Sequence, residues 1–181
     1  SDLVWVPTWA TLVTSMFMHG GLWHLLGNLL YLWIFGNNVE DAMGHFRFLV
    51  FYLLCGLAAA AAQILVHPAS TVPMVGASGA IGGVMGAYVL LYPRVNVHLL
   101  IFLGFFVTTV AVPAVFMLGY WFLLQFMMGT FARGTGGVAF WAHVGGFVFG
   151  MVGALAFRHF KVEERFVDKA LDAIQRRPPP E

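Results

Sequence analysis

The sequence predicts an all-α protein, a polytopic membrane helix bundle with five core transmembrane helices. Of the 181 residues, 60% are hydrophobic and 9% are charged, whereas soluble domains have about 25% charged residues. Six of the 17 charged residues precede residue 158, and the other eleven lie in the last 24 residues. The uncharged stretches between Arg47, Arg94 and Arg133 are long enough for several spans of about 20 residues each.

Five apolar segments are each predicted to form a helix. They cover residues 20–36, 46–66, 78–92, 113–129 and 142–157, and proline, glycine, asparagine or charged residues separate them. A sixth apolar segment, 97–112, is rich in β-branched residues. Counting it as a span would place Arg94 and the C-terminal tail on opposite sides of the membrane, so we expect it to be an interfacial or re-entrant segment.

The positions of Lys and Arg predict the orientation of the bundle. If the five spans alternate in direction, eight of the nine Lys and Arg residues share one side, and only Arg133 lies on the other. The positive-inside rule makes the first side cytoplasmic. We therefore expect a multi-pass protein of the plasma (cell inner) membrane with a cytoplasmic C-terminus. Residues 1–157 form its membrane domain, with 1–19 as an outer loop, and 158–181 form a cytoplasmic tail with an amphipathic helix over 161–177.

Composition also argues against several functions. The formal net charge is +1, so no basic field exists to attract nucleic acid, and we expect no nucleic-acid partner.

Cys55 is the single cysteine and cannot form an intrachain disulfide. Residue 1 is Ser rather than Met, so we expect the sequence to be a fragment or a processed product.

Four polar residues in the predicted spans point to a site: His24, Asn28, Ser78 and His143. Polar groups in hydrocarbon are costly and usually face a cavity or a partner. We measure the distance of each residue from the nearest charge on the cytoplasmic side, at a rise of about 1.5 Å per residue. His24, Ser78 and His143 then lie about 22 to 24 Å from the cytoplasmic surface, and Asn28 lies about 18 Å from it. All four can therefore meet below the outer surface of a hydrocarbon core about 30 Å thick.

Small residues on two spans would allow their backbones to approach closely. Ser78 is followed by Gly79, Gly82, Gly83 and Gly86, and His143 is followed by Gly146, Gly150 and Ala154. Such patterns are typical of close helix packing in membranes, and alone they could be packing or dimerisation faces. Beside a serine and a histidine they also favour a contact between those two side chains.

Serine becomes a nucleophile when a base removes its proton, and neutral histidine is the usual base. Ser78 and His143 are therefore predicted to form a catalytic dyad, with His24, Asn28 and the Ser78 backbone N–H as oxyanion donors. We find no acidic residue in a position to be the third member of a catalytic triad. The hydrolase motif G-x-S-x-G fails at Ala80, no zinc-protease H-E-x-x-H occurs, and His19 with His24 lacks a third metal ligand. We expect no bound metal.

These motifs resemble those of the rhomboid intramembrane serine proteases. Residues 17–28 (FMHGGLWHLLGN) are similar to the family's H-x-x-x-N helix and the loop before it, 76–79 (GASG) to its nucleophile motif, and 142–146 (AHVGG) to its base motif. The similarity extends from about Trp9 to Phe157. It implies Ser78 as nucleophile, His143 as base, and His24 with Asn28 as oxyanion stabilisers.

The resemblance also implies six core helices, cleavage of transmembrane segments of other membrane proteins, and no cofactor. Since five spans are visible, the sixth would precede Ser1. Two positions depart from patterns seen in some members: Ala10 follows Trp9 where an arginine would stand, and Gly82 replaces an aromatic residue that packs on the histidine. Two other functions stay open, a non-catalytic rhomboid-like protein that binds client helices and, less well supported by the one-sided polar cluster, a channel or transporter.

Overall fold

The computed structural model describes residues 7, 9–70, 73–131 and 138–175, with side chains as far as residue 158. In chain order the helices are α1 (Thr11–Thr14), α2 (Leu22–Tyr31), α3 (Asn37–Met43), α4 (His45–Val66), α5 (Ser78–Leu91), α6 (Ala114–Phe131) and α7 (Phe140–Gln175). A 3-10 turn, Ser15–Phe17, follows α1, and a π-helical turn, Leu32–Gly36, joins α2 to α3. Strands β1 (Asn96–Leu103) and β2 (Phe106–Pro113) lie between α5 and α6.

The helical membrane fold is confirmed. Within the described residues, three helices are long and apolar enough to cross a membrane: His45–Val66, Ala114–Phe131 and Phe140–Arg158. Helix α5 is equally apolar but has only 14 residues. The first predicted span, 20–36, is divided between α2 and the π-helical turn, so it is not one uniform α-helix, and α3 continues beyond its predicted end.

Helix α5 lies at the centre of the bundle. Eleven of its 14 residues are buried, because α4 and α7 pack against it along glycine-lined surfaces. An added Cβ on Gly83 would lie 3.1 Å from the carbonyl oxygen of Gly146, and one on Gly150 would overlap the backbone of Gly83. Glycine on both sides therefore permits direct backbone contact between α5 and α7, which we call the α5–α7 seam.

The segment 97–112 contains a β-hairpin, which the sequence analysis did not anticipate. Strands β1 and β2 pair antiparallel in a register from Asn96 opposite Pro113 to Leu103 opposite Phe106. Gly104 supplies the left-handed φ of +65° that the turn requires. β-Branched residues favour strands, so the composition contained the signal. The all-α prediction needs this correction, whereas the position of the segment at the membrane interface stays a prediction.

Helix α7 runs without interruption from Phe140 to Gln175. The sequence predicts a separate amphipathic helix at 161–177. In the structure, this stretch as far as Gln175 is instead a continuation of the last span. In this described part of the chain, the helix continues through residue 157 without a break. The division between membrane domain and tail at that point stays a prediction.

Candidate active site

The start of α5 places Ser78 at the end of the packed seam. Gly76 has a φ of +113°, a conformation that L side chains rarely adopt, and its N–H donates a hydrogen bond to the Ser15 carbonyl at 2.9 Å. This turn allows Ser78 to begin the helix. The backbone N–H groups of the first helical turn have no carbonyl partner within the helix, so they can bind a negative charge.

Ser78 and His143 are in direct contact. The His143 Nε2 atom lies 2.8 Å from the Ser78 Oγ atom, although the two residues are 65 positions apart in the chain. Both side chains are half-buried. Their distance follows from the seam, because Gly82 lets α7 approach until an added Cβ there would lie 3.1 Å from the His143 carbonyl oxygen.

A glutamine that the sequence analysis missed completes the surroundings of His143. The Gln125 Oε1 atom of α6 lies 2.8 Å from the His143 Nδ1 atom. An amide oxygen only accepts hydrogen bonds, so Nδ1 carries the proton and Nε2 is free to accept from the Ser78 hydroxyl. The sequence contained a signal for this residue, because Gln125 is polar and lies in an apolar span. The same criterion selected the other four residues.

Trp121 covers the face of the same imidazole ring. Its ring centroid lies 5.8 Å from that of His143, with an interplanar angle of 39°. The resemblance placed an aromatic partner of the histidine on α5, where this chain has Gly82. In the structure, the aromatic contact to His143 comes from α6 instead.

His24 lies beside Gly76. The Gly20 N–H donates to the His24 Nδ1 atom at 3.3 Å, so the neutral ring carries its proton on Nε2 and can donate from that atom. A Cβ on Gly76 would lie 2.7 Å from His24 Nε2, and therefore only glycine leaves room for this ring.

Asn28 follows His24 by one helical turn and is 7% exposed. Its Nδ2 atom donates to the His24 carbonyl oxygen at 2.9 Å, which uses one of the two amide N–H bonds. The same atom lies 3.7 Å from where a Gly76 Cβ would stand. The structure thus brings His24 and Asn28 together at Gly76, two residues before Ser78.

A cavity of about 280 Å³ lies beside three of the four predicted site residues, and Asn28 is not among the residues that line it. Ser78, His143, His24 and Gly76 line it together with apolar residues of α4, α5 and α7. Leu12, Ser15 and Met16, in the segment before α2, line one side. The cavity therefore holds a hydroxyl, an imidazole acceptor and an imidazole donor within an otherwise largely apolar wall.

Met16 anchors the segment before α2 to α4. This side chain is 5% exposed, and its sulfur and methyl group occupy the space that a side chain on Gly56 would need. His19, in the next turn of chain, packs edge-on against His24 at 5.3 Å. Among the described residues its buried Nε2 atom has no hydrogen-bond partner. No three His, Cys, Asp or Glu side chains of this described part lie together as metal ligands.

Comparison with known proteins identifies the family. A family model described as the Rhomboid domain matches residues 6–160. The chain belongs to the rhomboid family. Rhomboid protease GluP of Bacillus subtilis (strain 168) is 33% identical over 156 residues, which cover 86% of this chain and 27% of that protein.

Two further relatives show shorter matches. Rhomboid-like protein 11, chloroplastic, of Arabidopsis thaliana is 42% identical over 46% of this chain and 30% of its own length. Putative rhomboid protease YdcA of Bacillus subtilis (strain 168) is 36% identical over 44% of this chain and 40% of its own length. The matched regions thus span between about a quarter and two fifths of these rhomboid relatives.

Proposed function

We propose that this rhomboid-family membrane protein is an intramembrane serine endopeptidase that hydrolyses peptide bonds in or near transmembrane segments of other membrane proteins. The observation that carries the proposal is the 2.8 Å contact between Ser78 Oγ and His143 Nε2 at the wall of a cavity. Two similar proteins are named rhomboid protease or putative rhomboid protease, which supports the same activity.

In the proposed reaction Ser78 attacks the carbonyl carbon of the scissile peptide bond. His143 Nε2 accepts the hydroxyl proton as the C–O bond forms. The resulting tetrahedral intermediate collapses when the C–N bond breaks, and His143 returns the proton to the departing amine. An acyl-enzyme on Ser78 remains.

The negative charge of the tetrahedral oxygen requires hydrogen-bond donors. We propose three: the Ser78 backbone N–H at the start of α5, the His24 Nε2–H and the second N–H of the Asn28 amide. Removing one such donor from an oxyanion hole typically lowers kcat by about 10²- to 10³-fold.

Hydrolysis of the acyl-enzyme requires a water molecule at membrane depth. The cavity beside Ser78 provides space for it, and His143 then acts as base a second time. Water attacks the ester carbonyl, the proton passes to Nε2, and the Ser78 hydroxyl is restored as the acid product leaves.

We also propose the plasma (cell inner) membrane as the location and the cytoplasm as the side of the C-terminus. The bias of Lys and Arg toward the ends of the spans opposite Ser78 supports this orientation. The cavity would then open toward the outer leaflet, where it can receive a substrate segment.

The decisive test compares Ser78→Ala with the unchanged protein in liposomes that contain a labelled transmembrane substrate. We expect complete loss of cleavage with unchanged thermal unfolding, because the hydroxyl is the nucleophile. Ser70→Ala, in an exposed connection, is the matched control and should retain cleavage. Full activity in Ser78→Ala would refute the nucleophile assignment.

An activated fluorophosphonate tests the dyad without a substrate. It should label Ser78 in the unchanged protein and label His143→Ala far more slowly. If the unchanged protein binds transmembrane segments but neither cleaves them nor reacts with the probe, the alternative function of a non-catalytic client-binding protein would replace the protease proposal.

A further inference from the structure

We infer that Gln125 is a positioning residue that fixes the tautomer and the in-plane orientation of His143, and that this glutamine takes the place of a triad acid. The inference rests on the proposed function, because it assigns a role at the same site. It concerns a side chain of α6, which carries neither the nucleophile nor the base.

The first argument is the direction of the hydrogen bond. His143 Nδ1 lies 2.8 Å from Gln125 Oε1, and His143 Nε2 lies 2.8 Å from Ser78 Oγ. An imidazole with its proton on Nε2 could not accept the serine proton, and with the amide oxygen facing Nδ1 that form would lose the bond to Gln125. The glutamine oxygen therefore selects the form that can act as base.

The second argument is the absence of an acidic substitute among the described residues. The carboxylate of Glu40 is occupied at the other end of the bundle, where it lies 2.7 Å from His45 Nδ1. With no carboxylate at Nδ1, the partner that the described structure gives this atom is a neutral amide oxygen. A neutral acceptor avoids placing an ionised side chain in the membrane, which would be costly.

The third argument is the placement of Gln125 within α6. Trp121 and Gln125 are four residues apart and so share one helical face. One covers the ring face of His143 and the other holds the ring edge. The neighbouring polar residue Thr130 behaves differently, since its hydroxyl donates at 2.8 Å to the Phe126 carbonyl of its own helix.

These contacts predict a specific kinetic signature. Gln125→Met keeps the length of the side chain but removes the acceptor, so kcat for substrate cleavage should fall about tenfold while KM is unchanged. Gln125→Glu retains an acceptor oxygen but places a carboxyl group in the membrane, so its kcat should lie between those of Gln125→Met and the unchanged protein. Thr130→Val removes a polar group from the same helix away from the site and should leave both constants unchanged.

A measurement that needs no activity separates this inference from the proposed function. In protein labelled with ¹⁵N-histidine and held in micelles, the His143 signals, assigned by their loss in His143→Ala, should show a protonated Nδ1. Gln125→Met should shift them toward the Nε2-protonated form. An unchanged spectrum together with unchanged kcat would overturn the inference, whereas a shifted spectrum in a protein that does not cleave would support it and count against the protease proposal.

Discussion

The α5–α7 seam and helix α6 contribute to the same site in different ways. Along the seam, glycines bring two backbones into contact, and eleven of the 14 residues of α5 are buried. Helix α6 is as apolar, but within its 18 residues only Ala114 and Leu118 are buried. The seam therefore sets the distance between Ser78 and His143, and the sparsely packed α6 supplies two side chains that contact the His143 ring.

The difference separates two kinds of sensitivity to mutation. A residue of the seam has no space for a larger side chain, so a substitution there should lower the stability of the fold. A residue of α6 that touches His143 is half-buried, so a substitution there should act on the chemistry and leave folding intact. The following experiments would sharpen or break this division.

The largest effect is expected at the closest backbone contact. A Cβ on Gly150 would overlap the Gly83 backbone, which cannot move aside without separating α5 from α7. Gly150→Ala should therefore lower the free energy of unfolding by about 3 kcal/mol, measured by titration with a denaturing detergent.

The matched control for this change is Gly119→Ala in α6. Among the described residues, no side chain and no backbone of another element lies within 4 Å of a Cβ added there, and alanine is the better helix former. Its free energy of unfolding should be unchanged or raised by about 0.5 kcal/mol. Equal losses of stability in the two variants would abolish the contrast between the seam and α6.

A smaller effect, confined to chemistry, is expected at Trp121. Loss of the ring contact in Trp121→Leu should slow fluorophosphonate labelling of Ser78 by about threefold to tenfold, the range of a single aromatic contact. The unfolding transition should stay in place. Trp33→Leu removes an exposed tryptophan from another helix and should leave labelling unchanged. A fall in stability equal to that of Gly150→Ala would show that α6 is structural.

The smallest effect is expected at the tip of the β-hairpin. Phe105 is fully exposed, so Phe105→Ser should change the free energy of unfolding by less than about 0.5 kcal/mol and leave cleavage intact. A spin label at Phe105→Cys, in a Cys55→Ala protein, tests the predicted interfacial position of the hairpin. It should lie shallower than a label at Leu124→Cys in α6, and an equal depth would contradict that position.

Much of the bundle could be predicted from sequence because the signals were local or periodic. Apolar length indicated the helices, and the glycines near Ser78 and His143 indicated a close approach of α5 and α7. The hairpin was missed because its strands are apolar on both faces, which removes the alternation that usually marks a strand. The uninterrupted α7 was missed because a change in composition at residue 158 resembled a boundary.

The site was predictable as far as its members stood out as motifs. His24, Asn28, Ser78 and His143 were selected for being polar at similar depth, and the structure brings Ser78 into contact with His143 and places His24 and Asn28 beside Gly76. Gln125 passed the same test but lay in no motif. Whether Gln125 contacts His143 depends on the rotation of α6 about its axis, and the sequence of an apolar helix does not specify that rotation.

The shortness of α5 has a consequence for the lipid around the protein. Fourteen residues extend about 21 Å, less than the thickness of a bilayer interior of about 30 Å. With the Leu91 end of the helix at one surface, the chain before Ser78 must pass through hydrocarbon depth without helical hydrogen bonds. Such a backbone is tolerated only where protein or water surrounds it. The Met16 anchor and the bond from Gly76 to Ser15 therefore have a second consequence, because they shield this stretch of backbone from acyl chains.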